Sequence, residues 1–183
     1  MAAKQDNRLT VYTIGHSTHP IETFLELLRR HGIEQVADIR TIPRSRHNPQ
    51  FGQAALQAAL AAAGIAYVHL PALGGLRPKV KDSKNTSWRN ESFRNYADYM
   101  QTAAFADAVT NLIRLAAAKK TAIMCAEVLP WRCHRSLVAD ALLVCDVTVC
   151  DILGNGDLRE HALTRFASVE GTTILYNKPD HGA

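Results

Sequence analysis

The sequence predicts a single-domain α/β fold: a mostly parallel central sheet of about five or six strands with helices on both faces, a Rossmann-like three-layer arrangement. Three observations predict it. Short runs rich in Val, Ile and Thr alternate with longer helical stretches along the chain. The 183 residues suit one domain, without internal repeat or interdomain linker. A composition of 47% hydrophobic and 21% charged residues is that of a folded chain, not a disordered one. A domain of this size buries roughly 70% of its unfolded-chain surface and needs neither disulfides nor a structural metal.

Taken in order, Leu9 to Ile14 reads as a strand stopped by Gly15. Ile21, Phe24, Leu25 and Leu28 then fall on one helical face, with Thr18 or His19 as cap, Pro20 in the first turn and Gly32 at the end. Gln35 to Ile39 is a second strand, and the Ala/Leu/Gln-rich Gln50 to Ala63 a helix ending at Gly64. Ile65 to Leu70 is a third strand. Helical pattern resumes from Ser92 to Ala118, with a break near Thr102. Thr121 to Cys125, Val147 to Leu153 and Thr172 to Tyr176 read as strands. Arg132 to Val144 reads as a helix, and Asp157 to Phe166 as a short one. The domain is expected over residues 9–177, with flexible ends at 1–8 and 178–183. Pro71 to Glu91 is the exception, a polar stretch with two adjacent glycines; so long a connection inside a domain is often a binding loop or lid.

Charge is unevenly spread. The chain carries 21 Lys and Arg against 17 Asp and Glu, a net +4. Residues 38–94 hold nine positive and three negative side chains, a local +6, which leaves −2 for the remainder. That excess points to an anionic partner, a small molecule or a nucleic acid. No apolar run approaches the roughly 20 residues needed to span a bilayer. The polar start, Met1 to Arg8, lacks the apolar core of a signal peptide, so a cytoplasmic location is expected, with no membrane partner.

In a parallel sheet, ligands bind outside the carboxyl ends of the strands, and the reactive side chains cluster there. His16 and Ser17 follow strand one; Asp38 and Arg40 close strand two, with Ser45 and Phe51 beyond; Gly74 and Gly75 follow strand three; Cys125 and Glu127 close strand four. Arg132, Cys133, His134 and Arg135 stand at the start of the next helix, where free N–H groups favour a thiolate or a phosphate. Cys133 or Cys125 is the candidate nucleophile, His134 or His16 the acid/base, and Glu127 an acid/base or an orienting group for an arginine. Ser17, Asp38, Arg40, Ser45, Gly74, Gly75, Arg132 and Arg135 are the candidate substrate and anion contacts. Cys145 and Cys150 read as core; His69 and His161 have no evident partners; Trp88 is a stacking platform or a packing residue. Six residues separate Cys125 from Arg132, one more than a tyrosine-phosphatase loop has, and no dinucleotide, Walker or zinc-protease motif is present. No cofactor is indicated and no metal is expected; a set drawn from His16, Cys133 and His134 is the weaker alternative.

Five pieces in this order, Thr13-Ile-Gly-His-Ser17, Asp38-x-Arg40 with Pro43-x-Ser45 and Phe51, Leu73-Gly-Gly75, Cys125-x-Glu127 and Cys133-His-Arg135, resemble the domain of unknown function 488 family. The resemblance covers residues 11 to about 153, and it implies a small bacterial or archaeal α/β domain with a polar cleft. It supplies no reaction. The family often places a His before Ile on the fifth strand, where this chain has Asp151-Ile152. Convergence of these residue types leads to an enzyme acting on a phosphate-bearing substrate, a nucleotide or nucleic acid. The rivals are a non-catalytic nucleic-acid-binding module using residues 38–94, and a thiol-redox or sulfur-transfer protein.

Overall fold

Three helices return to the sheet by the same device. Helices α1 (Ile21–Arg30) and α2 (Gln53–Ala62) each end two residues before a glycine at positive φ, Gly32 at 62° and Gly64 at 74°. In both, the glycine N–H bonds the carbonyl three residues back, and the next N–H bonds five back, which closes the last turn. Helix α5 (Arg135–Val144) ends likewise, with Asp146 taking the left-handed position at φ 61°. The residue after each turn, Ile33, Ile65 or Val147, is buried and leads into the next strand.

The computed structural model describes residues 8–177, so the predicted flexible ends lie outside the described residues except for Arg8. The strands are β1 (Thr10–Gly15), β2 (Gln35–Asp38), β3 (Ala66–His69), β4 (Thr121–Cys125), β5 (Thr148–Ile152) and β6 (Leu158–Glu160). They form one six-stranded sheet in the order β3-β2-β4-β1-β5-β6, parallel except for β6. The mostly parallel α/β fold read from the sequence is the fold observed. Alternation along the strands divides the core. Val11, Ala37, Ile123 and Val149 face α3 (Glu91–Tyr99), α4 (Ala103–Ala118) and α5, whereas Ile14, Val36, Met124 and Ile152 face α1 and α2. Among the described residues no helix is long and apolar enough to cross a membrane.

The predicted break near Thr102 is real: its hydroxyl caps α4 by accepting from Phe105 N at 3.3 Å. Other boundaries moved. Two predicted helices begin late, each preceded by a one-turn 3-10 helix, Pro49–Phe51 before α2 and Pro130–Arg132 before α5. The short helix expected over Asp157–Phe166 is instead β6 and a connector. Asn155-Gly156, with Gly156 at φ 84°, turns the chain back as a hairpin, and Leu158 pairs with Ile152. The last strand belongs to a separate two-stranded ribbon, β7 (Ala167–Glu170) with β8 (Thr173–Tyr176). Cys145, read as core, is exposed beyond α5, and Cys150 is half-buried on β5.

The Pro71–Glu91 stretch is irregular but fastened down. Asn85 donates to Asp98 and accepts from Tyr176 N, and Ser87 N donates to Tyr176 O. Trp88 packs on Phe93, Phe166 and Tyr176 at 4.7, 4.9 and 5.4 Å between ring centroids, so it anchors the stretch to the ribbon. Part of the local positive charge is likewise matched by partners in the protein itself, some of them at the surface. Arg77 stacks on Tyr99 and bonds three backbone carbonyls, Arg94 bonds Trp88 O, and Lys79 pairs with Glu91.

His161, without evident partners in the sequence, is buried between two carboxylates. Its Nε2 lies 2.9 Å from Asp140 Oδ1 and its Nδ1 3.8 Å from Asp151 Oδ2. Asp140 also accepts from Tyr176 Oη, and Asp151 from Thr13 Oγ1 and Arg159. Burial alone would push the imidazole down, but the hydrogen bonds and charges of Asp140 and Asp151 outweigh it and raise His161 to about 9. The folded pKa is above the unfolded value, so this stabilisation is full below about pH 6.5 and is lost as pH rises through 9. Urea unfolding at successive pH values should show stability falling by about 3 kcal/mol between pH 7 and 10. A flat profile there, or the same fall in His161→Gln, contradicts this account.

Candidate active site

The connections leaving β1 and β4 run to opposite faces of the sheet, through α1 and α5, and part at the carboxyl edge. A crevice opens where an α/β sheet reverses its winding in this way. Gly15 pairs with Cys125 in the ladder, and His16 N and Ser17 N continue it to Cys125 O and Ala126 O. The loop after β4 then folds across β1: a Cβ on Gly15 would collide with Glu127 O, so only glycine fits. This fold-back, through the 3-10 turn at Pro130–Arg132, returns Cys133 and His134 to the end of β4.

Three reactive atoms meet there. His134 Nδ1 is 3.9 Å from Cys125 Sγ and 3.7 Å from Cys133 Sγ, and all three lie within 4.8 Å of one another. The opposite ring nitrogen, Nε2, is 3.2 Å from the Ile39 carbonyl. A carbonyl only accepts, so Nε2 carries a proton and donates; in the neutral ring the Nδ1 lone pair then faces both sulfurs. Two neighbours hold the ring in place. Tyr96 packs on it at 5.1 Å and donates its hydroxyl to Leu73 O, and Gly75 lies so close that a Cβ there would stand 2.7 Å from Nδ1.

The two thiols differ. The Cys133 thiol donating to Cys125 holds Cys125 well below the ordinary thiol range, aided by His134 and the Ala126 N–H and opposed by burial. Cys133 goes the other way: the neighbouring Cys125 sulfur and its own burial push it well above that range. Cys133 precedes α5 rather than lying in it, since His134 is the N-cap and Arg135 the first helical residue.

These groups form one wall of an open cavity of about 390 Å³. Arg40, Glu127 and Gly75 also line it, and Ile42, Arg44, Leu76 and Arg132 stand exposed around it. Among the described residues, Arg44 and Arg132 are in no ion pair. Arg40 is committed elsewhere. Its Nε and Nη2 grip Asp38 at 2.9 and 2.6 Å, and its Nη1 donates to Phe51 O at 2.9 Å.

The remaining predicted residues lie off this wall. His16 is buried, stacked on Phe51 at 4.2 Å, and donates from Nδ1 to Ser17 O; burial pushes its pKa down, so it is neutral. Ser17 holds the turn at φ 47°. Ser45 accepts from Asn48 N. Gly74 packs against Thr41 with no room for a Cβ. Arg135 is buried beneath the 126–128 loop, where Nη2 donates to Val128 O at 3.2 Å. Residues that sequence reasoning missed are Tyr96, the Ile39 carbonyl and the rim residues Ile42, Arg44 and Leu76. None of these five carried a motif signal.

No curated protein and no solved structure matches this chain. A family model, Domain of unknown function DUF488, matches residues 20–142, a segment holding the crevice loops after β2, β3 and β4 together with both thiols and His134; the chain belongs to that family.

Proposed function

We propose that the protein is a cysteine-dependent enzyme acting on an anionic, phosphate-bearing substrate. One observation carries the reading: a thiol at a strand exit faces the unprotonated nitrogen of a fixed imidazole, at the wall of a cavity open to solvent. In this reading Cys125 is the nucleophile and His134 the base. Cys133 donates a hydrogen bond that steadies negative charge on Cys125. The Cys125 proton passes to His134 Nδ1, the thiolate then bonds to the substrate's electrophilic atom as the bond to the departing group breaks, and His134 gives that proton to the departing group. Arg44 and Arg132 supply the free cations at the rim; the sequence reading gave this duty to Arg132 together with Arg40 and Arg135, and Arg44 takes the place of the latter two. The nucleic-acid-binding alternative draws less support, because Trp88 and several of the positive side chains at 38–94 are engaged within the fold.

Three measurements test this. With the reduced protein at pH 7 and iodoacetamide, site-resolved mass spectrometry should show Cys125 labelled about tenfold faster than Cys145, although Cys145 is the more exposed. Inorganic phosphate should protect Cys125 in the wild type and not in an Arg44→Gln/Arg132→Gln double variant. Labelling of Cys145 first, or phosphate protection unchanged in the double variant, sinks the corresponding part of the proposal. Gly75→Ala places a methyl group against His134 Nδ1. It should slow Cys125 labelling about tenfold with the far-ultraviolet circular dichroism unchanged; an unaltered rate would show that the ring position does not matter.

A further inference from the structure

The same wall has a second property, which depends on the type and spacing of its atoms rather than on nucleophilicity. Two sulfurs and one imidazole nitrogen are the donors preferred by borderline-soft divalent cations, and no carboxylate belongs to this three-atom set. Tetrahedral zinc, with Zn–S near 2.3 Å and Zn–N near 2.0–2.1 Å, needs S···N edges of about 3.6 Å and an S···S edge of about 3.8 Å. The observed S···N edges are 3.7 and 3.9 Å, and the third falls inside the 4.8 Å limit that bounds all three atoms. The S···N edges thus lie within about 0.3 Å of the tetrahedral value.

The surroundings fit as well. A metal-bound histidine nearly always donates its other ring N–H to a carbonyl or carboxylate, and His134 Nε2 already donates to Ile39 O. Its Nδ1 lone pair is therefore directed at the point that both sulfurs share. Cys125 and Cys133 come from the two ends of the fold-back loop, one from the last residue of β4 and the other from just before α5. The sheet and the helix thus set the ligand spacing, not a flexible tail. Three protein ligands leave a fourth position, and all three ligand residues line the open cavity.

We propose that Cys125, Cys133 and His134 bind a zinc-class divalent cation through Sγ, Sγ and Nδ1, with the fourth position open to the cavity. Both sulfurs bind as thiolates, so any proton they still carry leaves to solvent. Coordination occupies the electron pairs that would attack an electrophile, so the loaded form is a thiol-protected state of the site. The sequence reading expected no metal, and its weaker alternative drew on His16 with Cys133 and His134; His16 faces Phe51 and Arg40 instead. The inference shares three residues with the nucleophile reading and goes beyond it in chemistry.

Cobalt(II) is the direct probe. Titration of Co²⁺ into the reduced, metal-free full-length protein should saturate at one equivalent. It should give the near-ultraviolet thiolate-to-cobalt charge-transfer band and the intense visible bands of tetrahedral cobalt, and Zn²⁺ should abolish both. Cys125→Ser and Cys133→Ser should each weaken binding at least about tenfold, while Cys145→Ser should not. A second measurement needs no variant: one equivalent of Zn²⁺ should slow Cys125 alkylation about tenfold, and a chelator should restore it. Absence of the charge-transfer band in the wild type, or equal binding by the wild type and Cys125→Ser, overturns the proposal. Rapid Cys125 alkylation in metal-free protein bears only on the nucleophile reading, so the two can fail separately.

Discussion

The hydrogen bond from His134 Nε2 to the Ile39 carbonyl, 3.2 Å long, joins the exit of β2 to the start of α5 across the end of β4. It decides which ring nitrogen is protonated and, through that, what the site can do. With the bond in place, Nδ1 presents a lone pair to two sulfurs held by two different elements. Without it, the ring could turn or change tautomer and aim an N–H at the thiols. The neighbours act on the same ring: Tyr96 restricts one side, and Gly75, lacking a Cβ, lets the 73–75 loop close over the other. The parallel sheet contributes by setting β1, β2 and β4 side by side, so that their exits meet at a single edge.

Charge is sorted into two systems. Within the fold, several cations face anions: Arg40 grips Asp38, and His161 with Arg159 offsets Asp140 and Asp151, whereas buried Arg135 bonds only the Val128 carbonyl among the described residues. The Arg40–Asp38 pair adds little net stability, since desolvation consumes most of the attraction, but losing one partner of such a buried pair strands the other at a cost of about 3–5 kcal/mol. They hold strand exits and loops in register instead. At the cavity rim, Arg44 and Arg132 stand exposed and are bound to no carboxylate among the described residues. The net charge of +4 is therefore less informative than the division between spent and unspent cations.

The α/β alternation was legible because strands and helices carry different periods and their ends carry glycines whose φ values the turns require. Gly32 and Gly64 marked two helix ends, each helix closing two residues before its glycine. The segment after β5 misled, since Leu158, Arg159 and Glu160 are all exposed on an edge and offer no apolar alternation; the Asn155-Gly156 turn was the usable signal. At the site, motif and position led to Cys125, Cys133 and His134 but could not say which arginines stay free. Arg40 and Arg44 look alike in sequence, and only the fold shows one gripped by Asp38 and the other at the cavity. Backbone groups such as Ile39 O leave no mark on residue identity, and the partners of His161 lie 10 and 21 residues away in the chain.

The protonation state of one nitrogen tests the central claim most directly. Long-range proton–nitrogen correlation spectra of the ¹⁵N-labelled, reduced, metal-free protein at neutral pH report each ring nitrogen of His134 separately. The account predicts a protonated Nε2. An unprotonated Nε2 with the proton on Nδ1 would contradict it, because Nδ1 would then donate to the sulfurs and could neither take a thiol proton nor bind a cation.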